Sequence, residues 1–459
     1  FVKGKEAIRM YFYCEDCKKE YPLNTHSYKC DCGGMFRLHK DPHEAVAKHE
    51  ISLGEFVTPL VPFQVGKLDF LLKMEHLLPT GSFKDRGACG MINALHELGI
   101  KKIALDSSGN AGASMAAYAA AADMECTVYT PDDISQEKVK QIEAYGAKIV
   151  KVANGRMKAC AAVKQNLGDA YYASHVYNPL FFEGIKSMAH ELYDQLGHHV
   201  PDYIFMPVGN GTMLIGLFLG FMEIGRLPHF VAVQSSKCAP LYEAYHEVPA
   251  SPKRTTIAEA IRITKPKRLK EMVKAIRDSG GDVITVPDKD ILKAQKYLSH
   301  RGIYVEMTSA AALAGAVQFF ENGKPDNYKV VIPLTGNGLS VESLGHLGLR
   351  GLGREPEGST MLYGMIDIGS NTVRMAIYRI EGTHVEMLMK KKHTVGLAAY
   401  LRDGVMQQQG IDKAVEILKE FRAFLLAFNI THVVAFTTAA LRNAKNSAAA
   451  VGEIERRTG

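Results

Sequence analysis

Lys84 stands in Gly81-Ser82-Phe83-Lys84-Asp85-Arg86-Gly87, a lysine at a tight entry into a helix. An amine captures an aldehyde only in its neutral form, so such a lysine becomes a nucleophile where burial or neighbouring cations depress its basicity. The flanking glycines permit close backbone approach to a bulky planar group. Alone, the run also fits a surface lysine in a charged turn, with Asp85 and Arg86 pairing to neighbours. Other parts of the chain must decide.

Three later turns bear on that decision. Ser107-Ser108-Gly109-Asn110 lies between a short strand and an alanine-rich helix, where backbone amides and the helix start hold an anion and Asn110 offers an amide to a ring hydroxyl or a carboxylate. Gly209-Asn210-Gly211-Thr212 has the same setting, with several N–H groups and a hydroxyl, the makings of a phosphate cradle. It lacks the spacing and distant acid of a dinucleotide fingerprint. Leu334-Thr335-Gly336-Asn337-Gly338 follows a buried strand and would set the neutral Thr335 hydroxyl beside a heteroaromatic nitrogen, leaving that nitrogen largely unprotonated. Lysine, amide, phosphate cradle and hydroxyl partner together describe a pyridoxal phosphate site.

These groups need a scaffold that ends strands in turns and restarts them as helices. The pattern predicts helices over 88–98, 111–121, 135–145, 213–224, 291–298 and 309–320. Strands are predicted at 101–105, 126–130, 148–152, 203–208, 230–234, 283–286 and 330–334. Such alternation is the signature of an α/β fold with parallel strands and helices on both faces. Residues 50–350 are read as one catalytic unit of two α/β lobes, opened by Val57-Thr58-Pro59-Leu60. Met213 and Phe218 are core by helical spacing, and His26, His175 and His190 are read as structural or surface histidines.

Cys14, Cys17, Cys30 and Cys32 form C-x2-C and C-x-C pairs, with Gly33-Gly34 directly after. Residues 1–40 cannot build a core unaided, and the layout is that of a small zinc ribbon. With every position a thiolate, the zinc would be structural; the tight C-x-C also allows a site without metal. Cys89, Cys126, Cys160 and Cys238 are scattered and read as core thiols.

A length of 459 residues calls for two or three domains, and 47% hydrophobic with 23% charged residues is a soluble globular composition. No secretory leader pattern and no apolar stretch of spanning length is present, so a cytoplasmic protein with no membrane partner is expected. The net charge of +6 is diffuse; Lys265 to Lys270 and Lys390 to His393 lack interleaved aromatics, so they read as solvated faces and no nucleic-acid partner is expected. The chain runs from Phe1 to Gly459, and either end can be a fragment boundary.

The chain resembles the threonine synthase branch of the fold type II pyridoxal phosphate enzymes, whose fold is tryptophan synthase β-like. The resemblance covers about residues 50–345. It is carried by residues 79–87, Ser107 to Gly112, Asn178-Pro179 with Glu183-Gly184, Gly209 to Thr212, Ile257 to Ile261, Thr308 to Ala312 and Leu334 to Gly338. It implies a carbon–oxygen lyase in which Lys84 holds the cofactor as an aldimine and moves the α and β protons. Phe83, Asn110, Val208, Gly209, Asn210, Gly211, Thr212 and Thr335 would bind pyridoxal 5'-phosphate, and Ser82, Ser107, Ser108 and Asn178 the substrate. A homodimer acting on an amino acid in threonine biosynthesis is implied. The substrate would be O-phospho-L-homoserine, converted with water to L-threonine and phosphate. The chain departs from the branch at Phe181, where an arginine often reaches toward the substrate phosphate; Arg156, Lys158 or Lys186 are substitute charges. The alternative is β-replacement or β-elimination on serine, phosphoserine or O-acylserine, as in cysteine synthase, cysteate synthase or dehydratase relatives.

Residues 351–360 read as a glycine- and charge-rich linker. From 361 to 459 the chain resembles the N-terminal part of the exopolyphosphatase and guanosine pentaphosphate phosphatase family, through Ile366 to Arg374 and Thr438 to Ala444. The implied fold is a partial actin-like ATPase fold with Asp367 near its metal. A half of a two-lobed phosphatase cannot close on substrate, so no phosphatase activity is expected of it.

Overall fold

Apolar β-branched runs joined by glycine turns fold into parallel sheets, because a strand buried on both faces can be apolar throughout. The computed structural model describes the chain apart from residues 1–9, 42–43, 133, 135, 154, 251–254, 322–324, 326, 341–359, 382–383, 428–429, 431, 438 and 459. It divides into two units, Phe1–Leu347 and Gly348–Gly459. Most of the expected 351–360 linker lies outside the described residues.

The first unit contains a six-stranded sheet in the order Asp282–Val286, His229–Ser235, Tyr203–Pro207, Val330–Pro333, Leu68–Lys73, Leu60–Val65. All neighbours are parallel except the last two, which form a hairpin. That hairpin was not expected from the sequence; it turns at Gly66, whose φ of +61° suits glycine, and keeps Pro62 on the edge strand. A second, four-stranded sheet runs Lys148–Val152, Glu125–Pro131, Lys102–Asp106, Tyr171–Tyr172, all parallel. Among the described residues no helix is long and apolar enough to cross a membrane.

Three helices meet backbone to backbone beneath the site. Lys84–Glu97 crosses Pro179–Ile185 so closely that a Cβ at Gly184 would lie 2.0 Å from Arg86 O, and one at Gly90 2.7 Å from Gly184 Cα. Phe181 fills the notch left at Gly87, where a Cβ would come within 2.3 Å of its ring. On the other side, Gly216 and Gly220 of Thr212–Ile224 admit Ile185 and Ala189. Lys84 and Thr212 are the first residues of two of these helices, so the junction sets the distance between them.

A charge cluster lies under the same helix. Arg86 donates to Glu75 at 2.6 Å and to Glu191 at 2.7 Å, and Lys73 donates to Glu191 at 2.7 Å and to Thr58 O at 2.8 Å. Two cations against two carboxylates leave no net charge, the condition on which buried ions are tolerated. Burial opposes the Arg86 charge, yet Glu75 and Glu191 outweigh it and raise its pKa. Asp85 accepts from the Thr80 amide at 2.7 Å, and burial raises its pKa. Both residues adjoining Lys84 therefore anchor its helix, as the sequence reading expected.

The N-terminal strands Tyr11–Cys14, Glu20–Tyr21 and Phe36–His39 form a small antiparallel sheet. Arg268, 2% exposed, ties it to the body by donating to Val176 O and Tyr177 O and, at 3.5 Å, to Phe36 O; Glu271 pairs with it at 2.6 Å. The expectation that Lys265 to Lys270 form a solvated face is thus corrected at Arg268, which bonds the buried Val176 and Tyr177 carbonyls of a turn.

The second unit is a sheet ordered His384–Thr394, Thr372–Glu381, Thr360–Ile368, His432–Thr437, with only the last pair parallel. The helix Gln408–Ala427 contributes Val415, Leu418, Phe421 and Leu425 to its core, against Ile366, Val373 and Met375. Asp367 ends a strand, one of its carboxylate oxygens buried without a hydrogen-bond partner.

Because Gly184 has no room for a methyl group, Gly184→Ala is expected to cost ~1–3 kcal/mol of stability. Denaturant unfolding would measure this. A loss below ~0.5 kcal/mol would mean that the helix crossing is slack.

Candidate active site

The turns singled out in the sequence converge on one cavity of about 220 Å³ in the first unit. Its lining includes Phe83, Lys84, Ser107, Ser108 and Asn110, the run Val208 to Thr212, and Thr335. Ser82 and Asn178 do not line it. Ser82 is fully buried and bridges to Gly336. Asn178 spends its side chain capping Pro179–Ile185, accepting from Leu180 N at 3.0 Å and donating to Tyr171 OH at 2.8 Å.

Helix starts leave backbone N–H groups without intrahelical partners, and the helices that begin at this cavity include Asn110–Ala121 and Thr212–Ile224. Gly211 has φ +81°, and a Cβ there would lie 2.2 Å from Met272 Sδ; one at Gly209 would lie 2.9 Å from Ala260 O. Only glycine at both positions keeps this turn's amides open as an anion cradle.

The Lys84 amine donates to Thr212 Oγ1 at 2.6 Å, beside that cradle, and lies 4.3 Å from the Phe83 ring centroid. Burial lowers its pKa to about 7 against the opposing pull of Glu306. Near neutral pH a substantial fraction is therefore neutral, the condition the sequence reading required of a nucleophilic lysine.

Glu306 is a site residue that the sequence reading passed over. It accepts from Asn110 Nδ2 at 3.1 Å and Thr335 Oγ1 at 3.3 Å, and its own amide donates to Gly336 O at 3.1 Å. A Cβ at Gly336 would lie 2.5 Å from its carboxyl carbon, so the glycine turn exists partly to admit this acid. Burial raises its pKa. Thr335 is also held by Ser309 Oγ at 2.9 Å, and its carbonyl accepts from Phe83 N at 3.1 Å. The available signal was a single acid between Val305 and Met307 at the start of a largely apolar helix without charged residues, Met307–Phe319.

The far wall contains Tyr177, His175, Cys160 and the segment from Ala260 to Lys267, which brings Arg262, Lys265 and Lys267 to the cavity. The loop after Ile261 borders the cradle, with Lys265 exposed, as a solvated lysine should be, and Arg262 and Lys267 half-buried; His175 lines the same cavity. Phe181 is fully buried and does not line the cavity. Lys186 is taken by Glu183 at 2.6 Å and Glu223 at 2.7 Å, Lys158 is not in the lining, and the Arg156 side chain lies outside the described residues.

The donor set suits pyridoxal phosphate: an amide cradle for a dianion, a neutral-capable lysine for an aldehyde, and a hydroxyl and an amide for the ring's polar atoms. At the N-terminus, Cys14 lies 3.5 Å from Cys32 and Cys17 lies 3.4 Å from Cys30, sulfur to sulfur, and all four sulfurs fall within 4.8 Å of one another. Tyr21 donates to Cys30 at 3.2 Å and, as the largest influence, lowers that thiol's pKa to about 6.

The sequence model of the family described as pyridoxal-phosphate dependent enzyme matches residues 51–336, and that of the Ppx/GppA phosphatase family matches residues 376–459. The threonine synthase of Methanocaldococcus jannaschii is 33% identical over 71% of this chain and 92% of its own length. That of Synechocystis sp. is 34% identical over 69% and 86%. Among solved structures, the L-serine ammonia-lyase of Rhizomucor miehei superimposes with a TM-score of 0.56 at 20% identity, over 64% of this chain and 96% of that one. A pyridoxal 5'-phosphate-dependent aspartate racemase does so at 0.55 and 26% identity, over 63% and 92%. The chain belongs to the pyridoxal-phosphate dependent enzyme family, on its threonine synthase branch.

Proposed function

We propose that residues 50–350 act as a threonine synthase, converting O-phospho-L-homoserine and water to L-threonine and inorganic phosphate. The observation that carries the reading is the Lys84 amine, with a pKa near 7, held 2.6 Å from Thr212 at the mouth of an amide cradle. Relatives that are threonine synthases across most of their length support it.

Gly209 to Thr212 would hold the cofactor phosphate, Lys84 its aldehyde carbon, and Asn110 and Thr335 the polar atoms of its ring. Bound there, pyridoxal phosphate supplies an electron sink that acidifies the α and β protons of the amino acid. The protein's own part is positioning and proton transfer. The turn from Ser107 to Asn110 receives the substrate carboxylate through amides and hydroxyls at a helix start. Lys84 Nζ takes the Cα and Cβ protons and returns one to Cα, for which a pKa close to ambient pH is the efficient value. Glu306 keeps Asn110 and Thr335 oriented. Overall, phosphate departs from Cγ, which gains a proton, and water adds its hydroxyl at Cβ in place of the proton lost there, its remaining proton leaving with the phosphate, so atoms balance.

A second reading, elimination or replacement on serine-type substrates, uses the same cofactor residues; Phe181, fully buried and outside the cavity lining, does not separate the two. Threonine and phosphate release from O-phospho-L-homoserine, set against pyruvate from L-serine and O-phospho-L-serine, separates the two. Threonine as the main product supports the first reading; pyruvate alone overturns it.

The Lys84 pKa makes a directional prediction. A lowered lysine pKa leaves the amine neutral, hence reactive, above about 7. Uptake of pyridoxal phosphate by cofactor-stripped protein should therefore accelerate as pH rises through about 7 and then level off. An ordinary lysine would keep accelerating toward ~10.4. Lys84→Ala should abolish borohydride-fixable attachment.

The same proposal gives Cys14, Cys17, Cys30 and Cys32 a structural zinc, since four convergent thiols match its tetrahedral preference. Metal analysis of the purified chain should find about one zinc per chain, lost in Cys14→Ser with a lowered melting temperature. A metal-free wild-type protein of unchanged stability would refute it.

A further inference from the structure

Resting on the reading above, the substrate carries an anion that the site as described so far does not receive. Its carboxylate is assigned to the turn from Ser107 to Asn110, and the cofactor phosphate to Gly209 to Thr212. The leaving phosphate of the amino acid needs a third seat, and a dianion cannot be desolvated against the apolar and aromatic wall without cations. Apart from Lys84 and His175, the basic side chains lining the cavity are Arg262, Lys265 and Lys267, all on one loop.

The loop is anchored at both ends. At its start, Ala260 O and Ile261 Cα pack against the Gly209 cradle with no room for a Cβ. Just beyond its end, Arg268 is locked to the Val176 and Tyr177 carbonyls at 2.7 and 2.6 Å. Between these points the charge is uncompensated. Among the described residues Lys265 and Lys267 have no hydrogen-bond or ion-pair partner, and Arg262 has only a 3.8 Å approach to the half-exposed Glu259. The neighbouring buried cations are spoken for, Lys186 by Glu183 and Glu223 and Arg268 by Glu271.

We propose that Arg262, Lys265 and Lys267 form the seat of the substrate's phosphate group and so select phosphorylated amino acids over their hydroxyl counterparts. The group is bound as a dianion and leaves as inorganic phosphate, which the same seat holds until release. No bond to protein forms. Placing the cations on an anchored loop over the cavity lets product phosphate exit toward solvent, while the fully buried Phe181 supplies packing beneath Lys84.

The test uses the full chain loaded with pyridoxal phosphate, as wild type, as Lys265→Ala/Lys267→Ala and as Lys265→Arg/Lys267→Arg. For the alanine variant, KM for O-phospho-L-homoserine and the inhibition constant of inorganic phosphate should each rise about tenfold, with cofactor affinity unchanged and the arginine variant near wild type. Unchanged KM and phosphate inhibition would overturn the seat. Weakened cofactor binding with unchanged phosphate inhibition would also overturn it, by assigning the lysines to the cofactor phosphate. Failure of the threonine synthase reading looks different. Wild type would then release no threonine, and a lysine-dependent KM for O-phospho-L-serine would leave the seat standing.

Discussion

The arrangement depends on a contact in which there is no room for side chains. Where Lys84–Glu97 crosses Pro179–Ile185, and where that segment meets Thr212–Ile224, glycines at 87, 90, 184, 216 and 220 let the helices approach to distances that a single methyl group would forbid. Dispersion is gained over many close atom pairs, and the junction resists deformation because its density leaves nothing to compress. Lys84 and Thr212 sit at the starts of two of these helices, so the 2.6 Å between amine and hydroxyl follows from the packing of backbone far beneath them. Phe181 belongs to the same joint: it fills the space that Gly87 leaves, which explains an aromatic there without reference to a ligand.

Electrostatics is layered on that joint. Below the Lys84 helix, Arg86, Lys73, Glu75 and Glu191 cancel one another, so the helix is fixed without imposing a field on the amine above it. Above it, burial alone outweighs Glu306 and brings the lysine to a pKa near 7. Glu306 in turn gathers Asn110 and Thr335, turning three isolated polar groups into one network whose members are costly to leave unpaired. The site thus combines a fixed floor and a polar side wall with a cationic rim.

Much of this was legible in the chain. The α/β class followed from alternating apolar runs and glycine turns, and the cavity-lining residues Lys84, Asn110, Gly209 to Thr212 and Thr335 were named from turns at strand ends and helix starts, whose open amides are a local property. Phe83 and Val208 came instead from the family resemblance, and what escaped were groups whose role depends on distant partners. Glu306 lies far along the chain from both Asn110 and Lys84, and locally it is only a lone acid before an uncharged helix. Asn178 looked like a ligand because Asn178-Pro179 is among the runs that carry the family resemblance, but its amide is consumed as a helix cap. The hairpin Leu60–Val65 with Leu68–Lys73 was missed because its mixed exposure hides the alternation that announces an edge strand.

The sequence by itself determined the chemistry available: a lysine at a helix entry, open amide turns, a neutral hydroxyl and four paired thiols, all set by residue type and short spacing. Only the tertiary structure decided which of them meet, how basic the lysine is, and where the charge lies. Desolvation and close approach are properties of surroundings assembled from far-apart segments. A lysine in the 265–270 run looks the same whether or not a cavity lies beside it, and the fold of the loop after Ile261 set the exposed Lys265 and half-buried Lys267 at the cavity edge while burying Arg268.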